Sequence, residues 1–278
     1  MGSTVQSRHN DYLEKVKEMK HIKKLEDEKL NSIVNEMRVD GSILLKGHVI
    51  TSDARLDRIV QFDERSRGYG IRSTVSTKKR RSYTWRCDAQ LDQGPDGACV
   101  GFGIAHELIA RPAEVRGITE RYAKEKIYWE AQKIDEWNGG SYPGGFPFYE
   151  GTSVLAGAKV AKKLGWIEEY RWAFGLEDLI LGVGYNGPAV IGINWYTGMF
   201  YPDSNGYIYA KGEIAGGHCV LVNSVNVSKQ RFTIHNSWGK SWGMNGECYI
   251  TFDDIGRLLY EQGEACFFLH RHNLPQID

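Results

Sequence analysis

Apolar and polar positions follow two rhythms along this chain, and the change from one to the other divides it. Residues 11–38 place Tyr12, Leu13, Val16, Met19, Ile22, Leu25, Leu30, Ile33, Val34 and Met37 at helical spacing, with seven basic and seven acidic side chains between them, and Gly41 stops the pattern. So long an apolar stripe predicts a helix that needs a partner surface. The next stretch, Gly41 to Arg81, is mixed: a strand-like run from Ser42 to Ile50, a polar part with Asp53, Arg55, Asp57 and Arg58, then the basic tetrad Lys78-Lys79-Arg80-Arg81. From Ser82 the aromatic content rises. Helices are predicted over 99–111, closed by Pro112, and over 119–136, with Tyr122, Ala123, Ile127, Ala131 and Ile134 on one side. A third runs from a Thr152 or Ser153 cap to Leu164 and ends at Gly165. After Gly187-Pro188 the rhythm becomes that of strands, at 189–195, 206–210, 219–227, 230–236 and 247–252. Helices first and strands afterwards predict an α+β protein, a helical lobe against a β lobe, without internal repeats.

Composition narrows the class. With 278 residues, 41% hydrophobic and 12% aromatic, the chain can bury a sizeable core, as one large domain or as two lobes sharing a cleft, and disorder throughout is excluded. Its 35 basic and 35 acidic side chains cancel, so it lacks the basic surplus that nucleic-acid binding needs. No apolar run reaches membrane-spanning length, and the N-terminus lacks the apolar stretch of a secretion signal; a soluble chain is expected, with no membrane partner. The five cysteines are odd in number and form no CxxC pair, which predicts free thiols in a reducing compartment, cytoplasmic or virion-associated. With no HExxH and no clustered carboxylates, neither a metal nor a cofactor is expected. Gly182 to Gly187 matches GxGxxG, but a helical pattern precedes it and a strand follows, the reverse of a dinucleotide site, so it is read as a helix-ending loop.

The chemically informative segment is Gln93-Gly-Pro-Asp-Gly-Ala-Cys99-Val-Gly-Phe102. A cysteine that follows a glycine-rich turn and opens a helix lies in the positive field of that helix's free N–H groups, which favours the thiolate. Its own N–H and the Gln93 amide are candidate donors to an oxyanion. A thiolate in acyl transfer needs an oriented base. His218 follows Gly216-Gly217 at an expected strand start, and Asn236 ends the next strand. A hairpin turning near Ser228 would set His218 opposite about position 238, beside Asn236. None of the other seven histidines has such a setting.

Together these segments resemble the papain family of cysteine peptidases. Gln93 to Phe102, Gly217-His218, and Asn236-Ser-Trp238-Gly239 with Trp242-Gly243 and Asn245-Gly246 carry the resemblance, which covers about residues 82–270 and is nearest to bacterial and phage-encoded members. It implies a two-lobed fold and a peptide or protein substrate. It also implies Cys99 as nucleophile, His218 as general base and acid, Asn236 as the group that orients the imidazole, and Gln93 as an oxyanion-hole donor. Trp238 would shield the His218–Asn236 hydrogen bond, and Gly217 and Cys219 would lie at the substrate groove, Cys219 near the pocket for the second substrate side chain. Gly139-Gly140 and Glu150-Gly151-Thr152 are expected to flank that groove. Asp96 stands where the family often has a disulfide-forming cysteine. Val100 replaces the usual tryptophan and leaves the cleft wall less bulky.

The implied organisation is an N-terminal segment over 1–81 and a peptidase domain over 82–278, with a helical lobe to about 187 and a β lobe from 188. The N-terminal segment fits either a zymogen's prosegment or a partner-binding arm. Three activities remain open: endopeptidase, acyl transferase or peptide ligase at the same site, and a non-catalytic binding or structural protein on this fold.

Overall fold

The computed structural model describes residues 42–45, 48–51, 53–61 and 63–271; the helix expected over 11–38 lies outside the described residues. The chain forms two compact units, Met1–Ser52 and Asp53–Asp278. In the first, the run read as strand-like from Ser42 to Ile50 is two strands, β1 (Ser42–Leu45) and β2 (His48–Thr51), paired antiparallel with Ser42 opposite Thr51.

The second unit opens with an extended strap over 53–61, a 3₁₀ turn (Glu64–Gly68) and a one-turn helix α1 (Arg72–Val75). Residues 53–81, assigned from the sequence to the N-terminal segment, therefore belong to the same compact unit as both lobes. Tyr69 and Ile71 hydrogen-bond to Trp172 through the backbone, and Ile71 and Val75 are buried. After β3 (Tyr83–Thr84) come α2 (Cys99–Ile109) and α3, whose Glu120–Tyr122, Ala123–Tyr128 and Trp129–Gln132 follow one another as α, π and α turns. The Thr119 side chain caps α3. Next is α4 (Val154–Lys163), with Ser153 capping the Ala156 N–H and Gly165 stopping the helix at φ 79°. Then follow β4 (Ile167–Ala173), α5 (Leu176–Tyr185), β5 (Ala189–Tyr196), β6 (Ile214–Asn226), β7 (Arg231–His235), β8 (Glu247–Thr251), α6 (Phe252–Tyr260) and β9 (Glu264–Arg271). The architecture is α+β. The GxGxxG stretch spans the end of α5 and the loop into β5.

The sheet runs β4-β9-β5-β6-β7-β8, antiparallel throughout, with β3 added to β6. Its central strands are apolar on both faces because each face closes a different core. On β6, Cys219 and Leu221 pack into the helical core with Phe102, Ile104 and Leu108, while Val220 and Val222 join the β core with Phe232 and Ile234. On β9, Cys266 and Phe268 face the first core, and Ala265, Phe267 and Leu269 the second. Continuous runs such as CVLV and ACFFL are what two-sided burial requires. The sheet is thus shared between the lobes.

Two expectations are corrected, and three elements were missed. Residues 206–210 make only an isolated bridge, Tyr207 with Tyr249, because Asp203 accepts from the N–H groups of Asn205 and Tyr207 and ties the segment into a turn. His218 lies within β6, opposite Ile193, since Gly216 and Gly217 already pair with β5. Strands β4 and β9 and helix α6 were not predicted. A signal for α6 was present: Thr251 caps the Asp254 N–H, and Ile255, Leu258 and Leu259 follow at helical spacing.

Candidate active site

Residues 93–99 form the turn that delivers α2 to the cleft. Gln93 is buried; its Nε2 donates to the Asp96 carbonyl at 2.7 Å, and its Oε1 accepts from Ser237 Oγ at 2.6 Å. Asp96 pairs with Lys124 at 2.6 Å, so an ion pair steadies the loop at this position. Cys99 opens α2 and is fully buried. All five cysteines are free thiols.

Across the cleft, His218 Nε2 and Asn236 Oδ1 are 2.8 Å apart, and the same oxygen accepts from the Ser237 N–H. A carbonyl oxygen only accepts, so Nε2 carries the proton of the neutral ring and Nδ1 is the basic nitrogen. Nδ1 is buried. Trp238 stacks on the imidazole with ring centres 4.9 Å apart, and Trp195 meets it edge-on at 4.8 Å, so the His218–Asn236 bond is shut off from water. The peptide after His218 reaches the thiol: the backbone N–H groups of Cys219 and Asp57 lie close enough to the Cys99 sulfur to favour its charged form.

Asp57 belongs to the strap, which runs through the cleft over the whole site. The Gln93 amide donates to the Arg55 carbonyl at 3.2 Å, Arg58 N–H to the Gly217 carbonyl at 2.9 Å, and Ile59 N–H to the Thr152 carbonyl at 2.9 Å. The Arg55 guanidinium sits 4.2 Å from the Trp238 ring centre. A β-carbon on Gly217 or Gly151 would collide with the strap backbone, and one on Gly97 with the Asp57 carboxylate. These glycines leave room for an extended chain. On either side of Arg55 the cleft remains open, and the larger opening, about 540 Å³, is lined by Arg55, Tyr201, Trp238, Trp242 and Met244.

Burial by the strap reverses the expected electrostatics of the thiol. Desolvation pushes Cys99 up to about 12, outweighing the help of the two N–H groups, and pulls His218 down to about 4 despite its bond to Asn236. The helix N-terminus does not produce a thiolate under these conditions. With the strap in place the pair is a neutral thiol and a neutral imidazole.

Other residues singled out from the sequence fall at different places. Cys219 contributes its backbone to the site, but its side chain packs beside Gly103, where a β-carbon would lie 2.9 Å from its sulfur. Val100 likewise points into the helical core against Gly157 rather than into the cleft. Gly151 and Thr152 border the strap, whereas Gly139 and Gly140 pack within their own loop against Pro147 and Tyr142. The residues at the site that sequence reasoning missed are Asp57 and Arg58. Only the polarity of the Asp53–Arg58 stretch hinted at them.

No protein-family model and no curated protein matches this sequence. Among solved structures, xylellain, a cysteine protease from Xylella fastidiosa, is 18% identical with a TM-score of 0.59, over 82% of this chain and 100% of that one. Bromelain from Ananas comosus, in complex with the E64 inhibitor, is 13% identical at 0.49, over 69% and 99% of the two chains. Procathepsin L 3 of Tenebrio molitor larval midgut is 14% identical at 0.48, over 78% and 75%. The likeness to xylellain establishes the fold: it is papain-like.

Proposed function

On that fold, we propose that the chain is a cysteine endopeptidase made as a self-blocked zymogen, with Cys99, His218, Asn236 and Gln93 as its catalytic group. The observation that carries the reading is the peptide already in the cleft, with the Arg55 carbonyl on the Gln93 amide and the N–H groups of Arg58 and Ile59 on the carbonyls of Gly217 and Thr152.

In the open enzyme, His218 Nδ1 takes the thiol proton and the sulfur attacks a substrate carbonyl carbon. The resulting oxyanion is held by Gln93 Nε2 and the Cys99 N–H. His218 then returns the proton to the leaving amine, a thioester remains on Cys99, and water deprotonated by His218 releases the acid. Asn236 keeps the imidazole in the tautomer that both transfers need.

The strap is not cut because of its direction. His218 and Trp238 form the side from which the leaving amine is protonated, and Arg55 lies there, over Trp238. Arg58 lies beyond Asp57 on the other side of the thiol. The strap therefore runs from the leaving side to the acyl side, opposite to a substrate. Maturation has to remove residues 53–61 and keep Ile71, which is buried in the β core, so the expected cut falls between Gln61 and Ile71 rather than at the basic tetrad.

Two measurements test this. An epoxide-type thiol-protease inhibitor should label Cys99 of the wild type at neutral pH and leave His218→Ala unlabelled; equal labelling of both would refute the mechanism. Mass spectrometry should show N-terminal shortening in the wild type and none in Cys99→Ala. Equal shortening, or none in either, would sink self-processing.

A further inference from the structure

The side chain of Arg58 fills a pocket made for it. The guanidinium is 1% exposed; Nε and Nη2 lie 3.2 and 3.1 Å from Glu264 Oε1, and Nη2 also donates to the Gln262 carbonyl at 2.9 Å. Glu264 pairs across strands with Gly192, where any β-carbon would collide with Arg58 Nε and crowd Val154. The Gln262 backbone is left-handed, φ 73°, in the turn that presents its carbonyl. A carboxylate, a fixed carbonyl and the space of a missing side chain thus converge on one planar cation.

Once the strap leaves, this pocket keeps its carboxylate, 14% exposed even with Arg58 in place, and its carbonyl without a partner. An apolar side chain entering it would seal an unpaired charge, which is unfavourable, and an acidic one would be repelled. A lysine offers a point charge to two acceptors set for a fork, whereas an arginine restores both contacts. Because Asp57 touches the thiol and Arg58 is the next residue toward the acyl side, the pocket receives the second side chain before the scissile bond. Resting on the peptidase reading above, we infer that this enzyme selects substrates with arginine at that position, and that Arg58 is the mimic by which the chain blocks itself.

The test uses the full chain and dipeptidyl acyloxymethyl ketones, which alkylate the active-site thiol, with arginine, citrulline, lysine or leucine as the residue before the one bearing the ketone. Rates are compared as ratios within one protein, so the hold of the strap cancels. Arginine is expected to exceed both citrulline and leucine by about 10- to 100-fold, the worth of a charge-assisted hydrogen bond. In Glu264→Gln the arginine-to-citrulline ratio should fall to near one. Labelling of Cys99 with no arginine preference in the wild type, or with a preference that survives Glu264→Gln, overturns the inference and leaves the peptidase reading standing. No labelling by any probe, even in mild alkali and after the strap has been cut away, overturns the peptidase reading and this inference with it. The citrulline comparison in the wild type decides the matter even if the variant fails to fold.

Discussion

Replacing Asp57 by asparagine should remove a pH-dependent release built into the strap. The Asp57 carboxyl is inserted beside Gly97, and burial, helped by the carboxylates of Glu150 and Asp53, raises it from 3.8 to about 7. Each tenfold change in proton affinity is worth about 1.4 kcal/mol, so holding this group ionised in the closed state costs about 4 kcal/mol. The sign follows from the raised value. Below 3.8 the carboxyl is protonated whether the strap is in or out, and closure carries no penalty. As pH rises from 3.8 the penalty grows, and it is complete above about 7. Closure is therefore tightest in acid and weakest in mild alkali. Asparagine keeps the shape of the protonated acid at every pH. The assay is the rate of epoxide labelling at Cys99, taken as the ratio of wild type to Asp57→Asn, in which the titrations of Cys99 and His218 themselves cancel. The ratio should be within about threefold of one at pH 4, climb through pH 7 and level off at about a thousandfold. A ratio that is flat, or that rises toward acid, would refute this account of the strap.

Three further outcomes follow from packing and charge. Glu107→Ala leaves Arg271, 6% exposed, without its buried partner and should cost about 3–5 kcal/mol in a urea unfolding experiment. Gly182→Ala should destabilise, against the helix-propensity gain of about 1 kcal/mol, because the new methyl strikes the buried Phe267 ring and overpacking costs about 1–3 kcal/mol; a higher melting temperature would contradict the packing. Burial pulls His235 down, but Cys87 and Glu247 outweigh it and raise it from 6.5 to about 9. Its stabilisation is therefore full below 6.5 and lost as pH rises through 9. Urea midpoints at pH 6 and 9.5 should differ less in Glu247→Gln than in the wild type.

The sequence by itself determined what local chemistry and strand rhythm can carry. A glycine-rich turn ahead of a helix marked Cys99 and Gln93. The spacing of two strand patterns brought His218 toward Asn236, and the observed pairing of Leu221 with His235 continues to the same neighbourhood. The helix cap at Thr152 or Ser153 was legible, and it is Ser153, because a cap is a contact between residues three apart. What only the tertiary structure decided involves partners far apart along the chain. β4 is charged and β9 a short apolar run, and each is a strand because the other is beside it. Cys219 and Val100 turned away from the cleft because both fill the helical core, Cys219 against Gly103 and Val100 against Gly157. The state of the thiol was decided in the same way. A helix N-terminus favours its charge, but the strap, arriving from forty residues upstream, removes the water that the charge would need. Arg58, unremarkable among the charged residues of a polar stretch, acquires its meaning from a glutamate 206 residues away.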